Sequence, residues 1–219
     1  MRKQVFSWIV ASCLVCLIAS SAQATLQDDI DQAVTIIQRF QEIPEQAIPR
    51  AVLREAKGLA ILTVTKAGFI GSVRGGTGLV IARAEKGWSA PSAIGTGGIG
   101  FGFQAGAQVT EFVLVLNTHE AVKAFSYDSN VTLGGNLSAA AGPVGRSAEA
   151  GLTINAAVYT YSRSQGLFAG LSLEGTVIGT RNDANEQYYG KRVFARDILA
   201  GDVKPTAGAQ KLIQALGKY

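Results

Sequence analysis

The sequence is poor in the side chains that carry most enzymatic chemistry. Its 219 residues include one histidine and two cysteines. Cys13 and Cys16 both lie in the first 24 residues, so the rest of the chain has no thiol for catalysis, metal binding or a disulfide. The histidine, His119, follows a predicted helix cap, where we expect an exposed structural side chain. These absences predict a protein that is not an enzyme.

The motifs of nucleotide and metal sites are also missing. No glycine–lysine pair is followed by serine or threonine, as a P-loop requires. The glycine-rich residues 95–102 are followed by further alternation of small and large residues rather than by a helix. This argues against the glycine motif of a dinucleotide-binding site. No HxxxH or dense acidic loop is present, and the CxxC of Cys13 and Cys16 lies within the first 24 residues. We therefore predict no catalytic residue, no metal and no cofactor.

Charge is scarce, with 16% of residues charged against 47% hydrophobic. The composition predicts a folded core, and the length predicts one domain. The chain has 20 basic and 16 acidic residues, and removing Arg2 and Lys3 with a leader leaves 18 basic residues and a net charge of +2. This weak bias argues against a nucleic-acid partner. Attraction to an anionic surface would have to come from local clusters of cations.

The first 24 residues have the pattern of a secretory signal. A positive pair at residues 2–3 precedes an apolar run over residues 5–19, and the small-x-small sequence AQA ends at Ala24. We expect residues 1–24 to be a signal peptide, residues 25–219 to be a single mature domain, and the location to be periplasmic, peripheral to a membrane. An uncleaved anchor and lipidation at Cys13 stay open as alternatives.

Apolar residues recur at helical spacing at both ends of the chain, and they alternate with polar or small residues, as in strands, between those ends. Thr25 with an acid at Asp28 predicts a capped amphipathic helix over residues 26–41. Pro49 predicts a second helix, which Gly58 ends as a left-handed cap. Further helices are predicted over residues 118–125, 193–199 and 208–216, and strands over residues 59–64, 79–83, 99–103, 111–116, 130–141, 151–162 and 167–177. The fold class is α+β, with a glycine-rich, mostly antiparallel β core (barrel-like or a sandwich) and N-terminal and C-terminal helices.

The densest glycine content lies in the centre of the chain. Ile99, Phe101 and Phe103 alternate with glycines, which places large side chains on one face of a strand and bare backbone on the other. Such a strand is expected where another backbone or a ligand approaches closely. We favour close backbone packing over nucleotide binding here.

Eight basic residues that stand near glycine or aromatic residues, together with three aromatic residues, form our candidate lipid-binding set. Phe69 lies between Lys66 and Arg74, and Tyr188 and Tyr189 precede a second pair of cations. Such clusters suit a lipid interface, because the ring enters the headgroup region while the cation meets phosphate. The full set is Lys66, Arg74, Arg83, Arg146, Arg163, Arg181, Lys191, Arg192, Phe69, Tyr188 and Tyr189.

Six motifs, in order, resemble the SYLF domain family. They are AKGLAIL at 56–62, WSAPSAIG at 88–95, VLNT at 115–118, AGPVGR at 141–146, YSRSQGLFAG at 161–170, and DAN at 183–185 followed by YYG at 188–190. Eukaryotic members bind phosphoinositides, and yeast-type members bind actin filaments, so the resemblance implies an anionic phospholipid ligand. With a secretion signal and no SH3 or FYVE partner domain, the chain is similar to the stand-alone bacterial form.

We therefore predict non-catalytic binding of anionic phospholipid at a membrane surface, through a basic patch rimmed by exposed apolar residues. The alternative is a structural or scaffolding envelope protein that assembles with a protein partner. The helix over residues 26–41 carries Asp28, Asp29 and Asp31, so we expect its apolar stripe to dock on the core rather than to enter a membrane.

Overall fold

The computed structural model describes residues 24–42, 47–69, 71–85, 87–101, 106–127, 131–133, 135, 137–144, 156–166 and 176–219. Arg146 and the parts of the predicted strands at residues 151–155 and 167–175 lie outside the described residues, as does nearly all of the predicted signal. Phe69 is described through its backbone.

Helices lie at both ends of the described chain, and strands lie between them. The helices are α1 (Leu26–Arg39), α2 (Arg50–Glu55), α3 (His119–Ser126), α4 (Asn182–Tyr189), α5 (Ala195–Ala200) and α6 (Gln210–Leu216). The strands are β1 (Gly58–Phe69), β2 (Gly71–Ala84), β3 (Gly87–Trp88), β4 (Ser92–Phe101), β5 (Gly106–Leu116), β6 (Val131–Thr132), β7 (Ala139–Ala141), β8 (Val158–Gly166) and β9 (Val177–Thr180). This arrangement confirms the predicted α+β class.

The strands form one curled sheet in the order β6-β9-β4-β2-β1-β5-β8-β7, with β3 paired to β2. The pairing of β7 with β8 is parallel and the other strand pairings are antiparallel. Within the described residues the core therefore has the barrel-like form of the prediction, as a single curled sheet, rather than the sandwich form.

Side chains of the sheet alternate between two buried layers. On the helix face, Leu59 and Ile61 pack with residues of α1, α2, α4 and α6. On the inner face, Ala60 and Leu62 pack with residues of α3 and α5 and with residues 131–137. Because both faces of β1 are covered at this end, its sequence is a continuous apolar run rather than an alternating one.

The far end of the helix face is uncovered. There a row of residues crosses five strands in register, namely Val109, Thr65, Gly75, Gly97 and Val177. Val109 and Val177 are 43% and 40% exposed, and Ile99, on the same face of β4, is 71% exposed. We call Val109, Thr65, Gly75, Gly97, Val177 and Ile99 the open row.

Helix α1 forms as its sequence predicts. The Asp28 backbone N–H donates to Thr25 Oγ1 at 3.2 Å, and the Thr25 N–H donates to Asp28 Oδ2 at 3.0 Å, which is a capping box. Ile30 and Ile36 are buried against the sheet, so the expected docking on the core is confirmed. None of the helices in the described part of the chain is both long and apolar enough to cross a bilayer.

Gly58 is not the left-handed helix cap that the sequence predicts. Helix α2 ends at Glu55 with Ala56 as its C-cap, and Gly58 begins β1. A Cβ at Gly58 would lie 2.9 Å from the Ile81 carbonyl oxygen. The glycine is therefore required for space between strands rather than for its backbone angles.

Several predicted strand boundaries are also wrong. Strand β4 begins at Ser92 instead of at residue 99, and β5 begins at Gly106 instead of at residue 111. Strand β2 begins at Gly71 instead of at residue 79, because its glycine-rich half is paired on both sides. The predicted strand over residues 130–141 is reduced to the short strands β6 and β7. Backbone packs closely at Gly78 of β2, where a Cβ would lie 2.1 Å from the Ile61 carbonyl oxygen. In the run for which we predicted close backbone packing, a Cβ at Gly97 would meet no atom within 4 Å.

Candidate functional site

A groove of about 810 Å³ crosses β2, β4 and β9 beside the N-terminal end of α1. We call it the glycine groove. It is lined by residues 73–77, residues 95–99, Val177, residues 179–181 and Asp183. The groove therefore lies between the open row and the first turn of α1.

The floor of the glycine groove is open backbone. Gly75 and Gly97 are paired in register, and a Cβ at Gly97 would meet no atom within 4 Å. The nearest atom to a Cβ at Gly75 would be the Thr96 carbonyl oxygen, at 4.0 Å. These two glycines therefore differ from Gly78, where a side chain cannot fit, because a side chain here would fill the groove.

Two other glycines of β4 lie beneath arginine side chains. A Cβ at Gly95 would lie 3.0 Å from Arg181 Cδ, and a Cβ at Gly98 would lie 2.9 Å from Arg74 Nε. Strand alternation places Arg181 with Gly95 on the helix face, whereas Arg74 lies over Gly98 on the inner face. Both arginines are among the residues that line the groove, although their side chains start from opposite faces of the sheet.

Arg181 joins the groove to α1. Its Nη1 donates to Asp29 Oδ2 at 3.1 Å, and its Nη2 donates to the Ala24 carbonyl oxygen at 2.6 Å. Asp29 is 6% exposed and also accepts a hydrogen bond from Thr77 Oγ1 at 2.7 Å. Burial raises the pKa of Asp29 to about 6, while the Thr77 hydrogen bond and the Arg181 charge oppose the rise.

The rim of the groove is apolar. Ile99 and Val177 line it and expose 71% and 40% of their surface. Thr96 lines it as well and uses its hydroxyl to hold β9, by donating to the Val177 carbonyl oxygen at 2.8 Å. The groove thus combines arginines, open backbone and exposed aliphatic side chains, which is the combination expected of a site for an anionic amphiphile.

Lys66 lies next to Arg74. The two residues are directly opposite in β1 and β2, and Gln108 of β5 is opposite Lys66 in the same inner-face row. Gln108 is 1% exposed, and its side-chain oxygen has no hydrogen-bond partner in the described part of the structure. Lys66 and Arg74 are thus like charges on facing strands, which repel one another.

Two further predicted cations lie away from the groove. The Arg83 guanidinium stacks on Trp88 at 4.1 Å from the ring centroid. Arg163 donates to the Arg39 carbonyl oxygen at 3.0 Å and pairs with Glu42 at 3.5 Å. It lines a second cavity, of about 470 Å³, at the β8 edge of the sheet. The structure therefore divides the predicted set among several surfaces, and the lipid-binding role of each member stays a prediction.

The predicted tyrosines are engaged inside the protein. Tyr189 Oη donates to the Pro91 carbonyl oxygen at 2.6 Å, and Tyr188 Oη is hydrogen-bonded to Thr206 Oγ1. Both side chains are half-buried. Their burial raises the pKa of each phenol.

Sequence reasoning missed a cation–aromatic cluster just beyond those tyrosines. The guanidinium carbons of Arg192 and Arg196 lie 5.4 Å and 4.9 Å from the centroid of Phe194. Lys191 is exposed beside them. The spacing R-x-F-x-R over residues 192–196 is the signal that could have identified it, since it flanks one ring with two cations.

The described residues offer little catalytic chemistry. His119 is the first residue of α3 and is exposed, as its position after the Thr118 cap predicts. Thr118 Oγ1 accepts the Ala121 N–H at 3.1 Å. Across the described ranges, no group of three or more histidine, cysteine, aspartate or glutamate side chains could hold a metal ion.

Several motifs that suggested a family resemblance hold the fold together. Asn185 of the DAN motif is fully buried, where its Oδ1 accepts the Ala93 N–H at 2.8 Å and its Nδ2 donates to Ser92 Oγ at 3.1 Å. Tyr161 Oη donates to the Pro143 carbonyl oxygen at 3.0 Å. The motifs are therefore joined in pairs by hydrogen bonds. These contacts explain how the motifs stabilise the fold better than they identify a binding site.

Comparison with known proteins agrees with these motifs. A family model described as "Ysc84: Las17-binding protein actin regulator" matches residues 97–219. The human "SH3 domain-containing YSC84-like protein 1" is 45% identical over 204 residues, which cover 90% of this chain and 60% of that protein. No solved structure shows significant similarity to the chain.

Two proteins of Saccharomyces cerevisiae are also similar. "LAS seventeen-binding protein 3" is 49% identical over 177 residues, covering 78% of this chain and 39% of that protein. "Protein YSC84" is 49% identical over 177 residues, covering 78% of this chain and 38% of that protein. The chain thus spans 60% or less of the length of these relatives, which are named as domain-containing, binding or regulatory proteins rather than as enzymes. Because the family model covers more than half of the sequence, the chain belongs to the Ysc84 (SYLF) family.

Proposed function

We propose that this protein binds anionic phospholipid at a membrane surface without catalysing a reaction, and that the glycine groove receives the phosphate-bearing headgroup. One observation carries the proposal. Arg181 lies over Gly95 on the helix face and Arg74 lies over Gly98 on the inner face, both residues border one groove, and the rim of that groove exposes the apolar side chain of Ile99.

The arrangement supports binding through three additive contributions. A cation near an anionic membrane contributes roughly 1 kcal/mol, so Arg74 and Arg181 offset part of the cost of ordering the lipid. The open backbone at Gly75 and Gly97 lets a phosphate group approach closely. Ile99 and Val177 gain stability by leaving water for the acyl boundary, in proportion to the area buried. Asp183 supplies the negative charge among the lining residues, which makes the attraction modest and sensitive to salt.

We also propose a compartment for this activity. We propose that the domain acts in the periplasm as a bacterial member of the family, after cleavage behind Ala24. The support for this proposal is the leader pattern in residues 1–24.

Vesicle flotation tests the lipid proposal. The protein is mixed with phosphatidylcholine vesicles and with vesicles in which part of that lipid is replaced by phosphatidylglycerol. We expect flotation with the anionic vesicles and loss of flotation as salt is added. Arg74→Glu should weaken binding by about 2 kcal/mol, since reversal removes one attraction and adds one repulsion.

A matched charge reversal provides the control. Arg54 lies on α2 with 69% of its side chain exposed and does not line the groove, so Arg54→Glu should float like the wild type. A Lys191→Glu, Arg192→Glu variant measures any contribution of the cluster at Phe194. Equal recovery on neutral and anionic vesicles, recovery on neither, or equal losses from Arg74→Glu and Arg54→Glu would contradict the proposal.

A protein partner is the second candidate. The family model is described as a Las17-binding actin regulator, and one of the relatives is named as a LAS seventeen-binding protein. The open row offers exposed Val109, Val177 and Ile99 to such a partner. An Ile99→Asp, Val109→Asp variant that loses a partner in a pull-down but still floats with anionic vesicles would favour this candidate.

A further inference from the structure

The Ala24 carbonyl oxygen lies against the arginine that borders the glycine groove. Arg181 Nη2 donates to it at 2.6 Å, and Arg181 lines the groove. Ala24 is also the residue that the leader pattern places immediately before the cleavage point. A backbone oxygen that a cleavage would remove therefore occupies one of the hydrogen-bonding positions of the groove arginine.

We infer that cleavage between Ala24 and Thr25 creates a binding site for an anionic phosphate oxygen at the position of the Ala24 carbonyl oxygen. The inference rests on the proposed function and deepens it. It names the residues that contact the phosphate, Arg181 and the new N-terminus at Thr25, and the event that makes them available.

The chemistry of the cleavage favours this exchange. Hydrolysis adds one water across the Ala24–Thr25 peptide bond, so the carboxylate leaves with residues 1–24 and the amine stays on Thr25. An α-amino group has a pKa of about 8 and is therefore protonated at neutral pH. The position thus loses an uncharged acceptor and gains a positive charge, and a phosphate oxygen restores the hydrogen bond to Arg181 Nη2 and pairs with that charge.

Other contacts keep the Arg181 side chain in place after the Ala24 carbonyl group is removed. Its side chain is 16% exposed, its Nη1 stays bonded to Asp29, and its aliphatic part lies over Gly95. The Thr25 nitrogen is bonded to the same carbon as the departing oxygen, so the new ammonium stands beside the vacated position. Asp28 Oδ2, 3.0 Å from that nitrogen, balances part of the new charge and orients the ammonium.

The cleaved protein keeps every described element. Each helix and strand begins at or after Leu26, and the capping box of α1 uses Thr25 and Asp28 alone. Within the described residues, removal of the leader breaks the hydrogen bond from Arg181 to the Ala24 carbonyl oxygen. The two forms therefore differ at the groove rather than in the core.

Three forms of the chain test the inference in one neutral detergent. They are the full-length chain, the chain cut by a signal peptidase, and the cut chain after selective acetylation of the Thr25 α-amino group. Acetylation restores a carbonyl at the vacated position and removes the new charge, while every side chain stays the same. Each form is titrated with inorganic phosphate, and the Arg181 Nε–H resonance is followed by NMR.

We expect the cut chain to bind phosphate about tenfold more tightly than the full-length or acetylated chain, since one charge-assisted hydrogen bond separates them. Equal affinities in the cut and acetylated forms, or cleavage at another bond, would overturn the inference. Flotation of the cut form with vesicles containing phosphatidic acid then distinguishes a lipid phosphate from free phosphate. If the cut form floats while acetylation leaves its phosphate affinity unchanged, this inference fails and the proposed function stands. If no form floats on anionic vesicles, the proposed function fails.

Discussion

Asp29 and Arg181 are separated by 152 residues in the chain, yet Arg181 Nη1 donates to Asp29 Oδ2 at 3.1 Å. The contact ties the first turn of α1 to the residue that follows β9 and closes one end of the glycine groove. At the other end of the same helix, Arg39 forms an ion pair with Glu111 of β5. Helix α1 is thus held to the sheet at both ends, directly beside the uncovered open row.

The buried Asp29 carboxyl predicts a stability change with pH. Its pKa rises from 3.8 to about 6 on folding, so the folded state binds a proton more tightly than the unfolded state in that range. The stability from this proton is present below about pH 4 and is lost as pH rises through 6. The free energy of unfolding of the wild type, relative to Asp29→Asn, should fall by up to about 3 kcal/mol between pH 4 and pH 7.

Urea denaturation of both proteins across this pH range checks the prediction. A difference that stays constant with pH would contradict it. A difference that grows with pH would show that attraction to Arg181 outweighs burial and lowers the pKa of Asp29.

The same titration predicts tighter lipid binding in mild acid. Below about pH 6, Asp29 is protonated and no longer neutralises Arg181. Flotation with anionic vesicles should therefore be stronger at pH 5 than at pH 7.5, and the difference should be absent in Asp29→Asn. Equal pH dependence in both proteins would assign the effect to other groups.

The glycines of β2 and β4 predict opposite outcomes for two substitutions. Gly78→Ala should destabilise the protein by about 2 kcal/mol or more, because its Cβ would overlap the Ile61 carbonyl oxygen at 2.1 Å. Gly97→Val should leave stability nearly unchanged, since a Cβ there meets no atom within 4 Å. It should still weaken vesicle binding by filling the groove.

Thermal unfolding and flotation measure the two effects separately. If Gly97→Val bound vesicles like the wild type while remaining folded, the headgroup would not lie in the groove.

The ion pair at the far end of α1 predicts a further stability effect. Glu111 is 6% exposed and one of its carboxylate oxygens has no partner within the described structure. Arg39→Ala would leave a buried charge uncompensated and should destabilise the protein by about 3 kcal/mol. Arg54→Ala breaks an exposed pair with Glu55 and should cost less than about 1 kcal/mol. Similar unfolding midpoints for the two variants in urea would contradict this account.

Local features of the fold were predictable from the sequence. The capping box involves Thr25 and Asp28, which are three residues apart in the sequence. The apolar run over residues 59–64 indicates a strand that is covered on both faces. Local chemistry decides such features. Gly58 was misread because its role depends on Ile81, a neighbour on the next strand that the local sequence does not reveal.

The site was less predictable, because its geometry depends on strand register. Gly95, Gly97 and Gly98 are alike in sequence, but Arg181 covers the first, Arg74 covers the third and the second is open. Arg181 could be proposed as a cation near glycine, yet its partner Asp29 comes from the opposite end of the chain. Ile99 was expected on the face opposite the neighbouring glycines, but its 71% exposure follows from where the helix layer ends.

A fluorescent probe on the groove rim tests the central claim most directly. Cys13 and Cys16 are replaced by serine, and an environment-sensitive dye is attached to Ile99→Cys in one protein and to Val144→Cys in another. Val144 is 49% exposed and lines the second cavity instead of the groove. We expect the emission of the dye at position 99 to shift to the blue on anionic vesicles, with little change at position 144. The same shift at both positions, or a shift only at position 144, would contradict membrane contact through the glycine groove.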